Sequence, residues 1–315
     1  MEFRKLISFG NSSFVVSLPK AWVEKNKLSK GDMIYIEEKN DELALFPSNN
    51  LDKEEPKDIT IDVSNKTVDS INREIVSAYI NNYGTMTFVG DGIKDKSPSI
   101  RNFLHKLVAL EIMEQTFEKI TAKSLLNFKD VPISDIIRRM DIITRAIIFE
   151  VQEVPAKTNY NHLYERDLDV NRLYFLAQRV LKSGMADPRI SKLIGRAPIQ
   201  LMSDWWLIMN LEKTADEAKR IAKLLTEFNL KPGDTKDLMD TYNSICKNYT
   251  DVMKAYYTRN KSLADAVADS GKVVIEKCSA MLKTHKKPGT ANILEKLKNM
   301  QTHVRNIARN VIVFQ

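Results

Sequence analysis

Residues 14 to 36 read FVVSLPKAWVEKNKLSKGDMIYI, and the character of the N-terminus turns on this stretch. Apolar and polar residues alternate in FVVSL as they do in a half-buried strand. Pro19 then presets the backbone for a first helical turn, and KAWVEKNKL carries Trp22, Val23 and Leu28 on one side of a short helix. Gly31-Asp32 is turn chemistry, and DMIYIEE restores the period of two. Working outward, KLISF on one side and LALF on the other alternate in the same way, so the first 47 residues are expected to hold four short strands around one helical turn. Such a unit buries little surface alone. A second copy of the chain would supply the missing core.

The whole chain has 315 residues, 43% of them apolar and 28% charged, a length that calls for two or three domains of ordinary globular composition. No apolar run approaches the roughly 20 residues that cross a bilayer, and MEFRKLISFG lacks the charged-then-apolar layout of a signal peptide, so a cytoplasmic protein without a membrane span is expected. Cys246 and Cys278 have no cysteine or histidine at zinc-site spacing and read as buried thiols. The net charge of +7 is concentrated at the two ends. Residues 1 to 30 hold six Lys and Arg against two acids, and residues 271 to 315 hold nine against two. The remainder is net acidic, and basic ends suit contact with an anionic polymer.

The polar stretch SNNLDKEEPKD, residues 48 to 58, reads as a linker. From Ile59 to about residue 128 the pattern predicts a βαβαβ unit: strand ITIDV, a helix over 67–83 capped by Gly84, strand TMTFV, a helix over 98–117 opened by Ser97-Pro98, and the alternating EKITAKSLL. Gly90 and Gly92 are a strand-end turn, since no G-x-G-x-x-G follows. Residues 130 to 315 are helical throughout, with apolar stripes such as Ile136, Met140, Ile147; Ile208, Leu211, Ala215; Tyr242, Ile245, Tyr249; and Leu297, Met300, Val304. Breaks at MADP and NLKPGD divide them, and two tandem bundles, about 130–228 and 236–315, are the simplest packing. The fold class expected is multidomain α+β.

Carboxylates four apart on a helix repel unless a cation sits between them. Glu165 and Asp169 form one such pair and Glu212 and Asp216 another, each bordering a core stripe. One divalent or ferric ion held between these helices would relieve the repulsion; Lys213, Lys219, Arg166 and Arg172 are the competing partners. No nucleophile constellation stands out. His105, His162, His285 and His303 are scattered, without the neighbours of a triad or an H-E-x-x-H site, so no enzyme is expected. Trp205-Trp206 reads as core and flank packing.

These residues resemble two known families. GNSSFVVSLPKAWVEKNKLSKGDMIYI with DELALFP resembles the SpoVT/AbrB-like swapped-hairpin domain over about residues 1 to 47. That resemblance implies two chains interlocked into one barrel, with Arg4, Lys5, Asn11 and Lys20 meeting DNA. Residues 130 to 315 resemble the PhoU family of phosphate-uptake regulators. LEKTADEAKRIAKLL places Glu212 and Asp216, and ERDLDVNRLYFLAQRVL places Glu165 and Asp167, where that family binds metal clusters, with Asn171 where the family often has an acid. In the second bundle MQTHVRNIARNV carries Gln301 and Arg305 at the equivalent acidic positions and VADSGKVVI retains only Asp269, so the second metal site is expected to be lost. The layout as a whole resembles archaeal proteins that join the two domains. It implies a cytoplasmic, homodimeric, phosphate-responsive transcription regulator whose partners are DNA and a second copy, with a phosphate transporter or its regulatory proteins as further partners. The alternative is an adaptor that restrains a phosphate transporter or sensor kinase, the N-terminal domain serving only to dimerise.

Overall fold

The computed structural model describes residues 3–39, 42–47, 57–153, 160–228, 230–284 and 287–314. They form two compact units divided between Pro56 and Lys57. Most of the expected linker, residues 48 to 56, lies outside the described residues.

In the first unit β1 (Ile7–Phe9) pairs antiparallel with β2 (Ser13–Val15), Ile7 opposite Val15, around a turn where Gly10 takes φ 69°. Helix α1 (Lys20–Lys25) follows Pro19, and the Asn26 side-chain amide closes it by donating to the Trp22 carbonyl at 2.8 Å. Gly31, at φ 99°, takes a backbone conformation that costs glycine nothing. Beside it the Ser29 amide donates to the Asp32 carboxylate at 2.7 Å, which fixes the Gly-Asp turn. β3 (Ile34–Lys39) and β4 (Glu42–Pro47) make a second antiparallel pair with Tyr35 opposite Phe46. Among the described residues the two pairs remain separate two-stranded sheets.

The second unit begins with β5 (Lys57–Asp62), α2 (Val68–Ile80), β6 (Tyr83–Val89), α3 (Ile93–Leu104), β7 (Leu110–Gln115) and β8 (Lys119–Ser124). The sheet order is β5-β6-β8-β7, with β5 and β6 parallel and the others antiparallel. The unit is therefore βαβαββ rather than βαβαβ, and three boundaries move. The helix expected over 98–117 is α3, which opens behind Gly92 at φ 77° and carries Pro98 inside it. The chain breaks at Ala109, φ 57°, and LEIMEQ pairs with KITAKS as a hairpin. α2 ends at Ile80 because Asn82 takes φ 61°, so Gly84 is a buried residue of β6 and not a cap. Ile61, Met86, Phe88 and Ile120 from the sheet meet Ile71, Ile75, Ile100 and Leu104 from the helices in one core.

Among the described residues seven α-helices follow: α4 (Ile133–Val151), α5 (Tyr160–Ala186), α6 (Pro188–Leu193), α7 (Pro198–Glu227), α8 (Pro232–Thr258), α9 (Lys261–Thr284) and α10 (Pro288–Phe314). α4, α5 and α7 pack on one another, as do α8, α9 and α10. The expected stripes are buried. The two triplets share a seam, because α7 and α10 lie against each other and one continuous apolar core runs through both. A polar ladder marks that seam: Asn306 donates to Asn210 at 3.3 Å, Trp206 Nε1 to the Asn306 carbonyl at 3.2 Å, and Asn310 to the Ser203 carbonyl at 3.0 Å. The sheet is tied to the bundle by Arg179 of α5. This side chain is 2% exposed, donates to Asn82 Oδ1 from Nε at 3.0 Å and from Nη2 at 2.8 Å, and lies 4.7 Å from the Tyr79 ring centroid. Among the described residues, no helix is long and apolar enough to cross a membrane.

Candidate nucleic-acid interface and acidic cluster

Arg4 and Lys5 precede β1, Asn11 sits in the β1–β2 turn and Lys20 opens α1, and all four are exposed. Lys20 lies 3.6 Å from Glu24, with side chains 89% and 65% exposed, an arrangement worth little and easily exchanged for a phosphate. Lys25, Lys27 and Lys30 are exposed on the same stretch. The apolar faces are exposed as well: Phe9 is 71%, Phe14 67%, Met33 72% and Ile36 64% accessible. Pro47 is the one buried residue among those described in this unit. Among the described residues of this unit, the alternation that reads as an inward face in the sequence is left exposed, and exposed apolar surface of this kind marks an interaction site.

The acidic residues of the helical region do not all meet. Glu165 and Asp169 are exposed, and Asp169 pairs with Arg172 at 3.7 Å on its own helix. Asp167 of α5, 3% exposed, instead faces Glu212 and Asp216 of α7. Between them stands the Lys219 ammonium, 2.6 Å from Asp167 Oδ2 and 2.9 Å from Asp216 Oδ1. Arg220 adds a contact to Asp216 at 2.7 Å, and Asn171 donates to Asp167 at 3.3 Å. Burial pushes the Asp167 carboxyl above its ordinary range although Lys219 pulls it down. Burial pulls the Lys219 ammonium down, but its two carboxylate hydrogen bonds outweigh that and hold it above its ordinary value. Glu212 has no such bond. Burial, then the charges of Asp216 and Asp167, push it up to about 7.

The cation that the structure places between Asp167 and Asp216 is the Lys219 ammonium. Lys219 and Arg220 already neutralise the two aspartates, and among the described residues no three Asp, Glu, His or Cys side chains are grouped to hold a cation. Asp167 lies two residues from both Glu165 and Asp169, so when it faces α7 those two, four apart on another face of α5, turn to solvent.

In the second triplet Gln301, fully buried, accepts from Asn248 Nδ2 at 2.9 Å, and Asn248 accepts from Ser270 at 3.0 Å. A neutral amide chain lies there, with Gly271 so close that a Cβ would come within 2.6 Å of Gln301 Nε2. A further buried group escaped the sequence reading. Asp141, 3% exposed, accepts from Tyr249 at 2.8 Å and Tyr257 at 3.1 Å and pairs with Arg145 at 3.0 Å. Its two tyrosine partners lie more than a hundred residues away along the chain, and no local spacing signals them. His303, by contrast, does have charged neighbours: burial first, then Lys213, push it down to about 4.

Residues 7–52 match the family described as antidote-toxin recognition MazE, bacterial antitoxin. The match runs through α1 and both hairpins, so the N-terminal segment is similar to MazE/AbrB-like domains. No curated protein and no solved structure matches the chain.

Proposed function

We propose that the chain is a dimeric, non-enzymatic transcription regulator of the cytoplasm that docks on DNA through interlocked N-terminal hairpins. A PhoU-like helical region, residues 130 to 315, passes it a signal of phosphate status from a transporter or its regulatory proteins. The observation that carries this reading is the state of the N-terminal unit. Two separate hairpins with exposed apolar faces need a second copy to complete a core, and six Lys and Arg against Glu24 and Asp32 lie in the same stretch, residues 3 to 36. The phosphate assignment rests on the resemblance of the two acidic helices, supported by the meeting of Asp167, Glu212 and Asp216 between α5 and α7. The same exposed faces also suit an adaptor that uses the hairpins only to dimerise, and DNA binding separates the two. Sedimentation of the full chain at micromolar concentration tests the shared premise: a dimer is expected, and Phe14→Asp with Ile36→Asp should give a monomer whose helical unit stays folded. A monomeric wild type contradicts the proposal.

A further inference from the structure

Residues 271 to 315 hold nine Lys and Arg against two acids, and DNA docking by the hairpins leaves that excess without a role. It lies beside an uncovered apolar surface. On α7, Ile199, Met202 and Trp206 are spaced by three and four and share one face; they are 56%, 49% and 42% exposed. α10 runs antiparallel beside that face, with the Trp206 indole donating to the Asn306 carbonyl at 3.2 Å and the Asn310 amide to the Ser203 carbonyl at 3.0 Å. Val313, 68% exposed and just beyond Asn310, is therefore level with the start of α7. α5 flanks the other side, since a Cβ on its Gly184 would lie 3.3 Å from Leu201 Cδ2. Met185, 48% exposed, comes five full turns after Asp167 and so shares the face that Asp167 turns to α7. Together these five side chains leave on the order of 500 Å² of apolar surface uncovered, a size that marks a functional patch.

The charge around the patch has one sign. α5 carries no acid from Val170 to its end and exposes Lys182. After Glu295 the chain carries Lys296, Lys298, Arg305 and Arg309 and no acid. Asp204, the one carboxylate between Ala197 and Leu211, is buried and paired with Arg196 at 2.8 Å. Size and charge together choose the occupant. A stable protein interface buries about 800 Å² on each partner, well beyond this patch. Duplex DNA would use the cations and leave the indole and the methionines without a contact. A lipid surface uses both, because a helix face can sink its apolar side chains roughly 5–10 Å below the headgroups while its cations meet the anionic ones. Tryptophan is enriched at that boundary.

We infer that this face of α5, α7 and α10 docks on an anionic lipid surface, with Met202 and Trp206 inserted and Lys182, Arg305 and Arg309 on the headgroup phosphates. The inference goes beyond the DNA-docking reading and needs neither DNA nor a second copy.

Flotation of the full chain with vesicles of phosphatidylglycerol and phosphatidylcholine, and with phosphatidylcholine alone, tests it. Binding to the anionic vesicles is expected, weakened by salt, and at least about tenfold weaker without the anionic lipid. Arg305→Ala and Arg309→Ala should each weaken it about fivefold, the worth of one cation at such a surface. Met202→Glu should abolish it with the melting temperature unchanged, and Trp206→Phe should lose the quenching by brominated lipid that wild type shows. Arg4→Ala with Lys5→Ala should float as wild type does, and Met202→Glu should keep its duplex DNA binding, which separates this inference from the DNA reading. No flotation with anionic vesicles, or wild-type flotation by Met202→Glu, overturns the inference. So does a dimer of the Phe14→Asp, Ile36→Asp variant that Met202→Glu dissociates, since a second copy would then cover the face.

Discussion

Replacing Glu212 by Gln should stabilise the protein, and only at neutral to alkaline pH. The carboxyl sits in α7 beside Asp216 and opposite Asp167, and its pKa is pushed from 4.5 up to about 7. A carboxyl whose folded pKa lies above its unfolded value contributes stability that is full below pH 4.5 and is lost as the pH rises through 7. Each unit of difference is worth about 1.4 kcal/mol, so the charged form costs at most about 3 kcal/mol at pH 8, and about 1.5 kcal/mol once partial screening by solvent is allowed for. The amide keeps the shape and removes that cost. His303 acts in the opposite direction: with its pKa pushed from 6.5 down to about 4, its contribution is present above pH 6.5 and lost as the pH falls through 4. The difference between variant and wild type cancels it. Thermal unfolding of the full chain at pH 8 should therefore show Glu212→Gln melting roughly 3 to 6 °C above wild type, with the gap closing near pH 4.5. A variant no more stable than wild type at pH 8, or equally stabilised at both pH values, refutes the reasoning.

Lys219→Met should be strongly destabilising, by about 3 kcal/mol or more in denaturant unfolding, because it leaves buried Asp167 facing Asp216 with no ammonium between them. Since Lys219 supplies the countercharge, a chelator should leave the wild-type melting temperature unchanged; a fall would restore the metal reading. Asn82→Gly keeps the φ of 61° accessible but removes the acceptor of both Arg179 hydrogen bonds, and should cost about 1.5 to 3 kcal/mol in the same assay. Gly271→Ala should cost about 1 to 3 kcal/mol, because the new methyl meets the Gln301 amide.

Much of this architecture is legible in the residues, and the failures have physical causes. Long apolar stripes at helical spacing can form only helices, and their stripes are the buried faces. Pro19 and Gly31-Asp32 fix α1 and the turn after it because each restricts the backbone locally. The hairpin of β7 and β8 is hidden because Leu104, Leu107, Val108 and Ile112 continue the apolar spacing of α3, while the break rests on the left-handed conformation of Ala109, a residue type that does not advertise it. Asn82 ends α2 in the same unannounced way. In the acidic cluster Glu212 and Asp216 stand on one wall, on α7. The opposite wall is Asp167 alone, since helix geometry turns Glu165 and Asp169 to solvent. Which cation fills the gap depended on how α5 and α7 cross, and that is a tertiary fact.

The salt dependence of duplex DNA binding by the full chain tests the central claim most directly. Each Lys or Arg that meets a phosphate contributes about one unit to the slope of log affinity against log salt. Arg4→Ala with Lys5→Ala should flatten the slope by about two units and Lys20→Ala by about one, with the dimer intact by sedimentation. Variants whose slope equals that of wild type, or a wild-type dimer that binds no duplex DNA at low salt, would contradict the account.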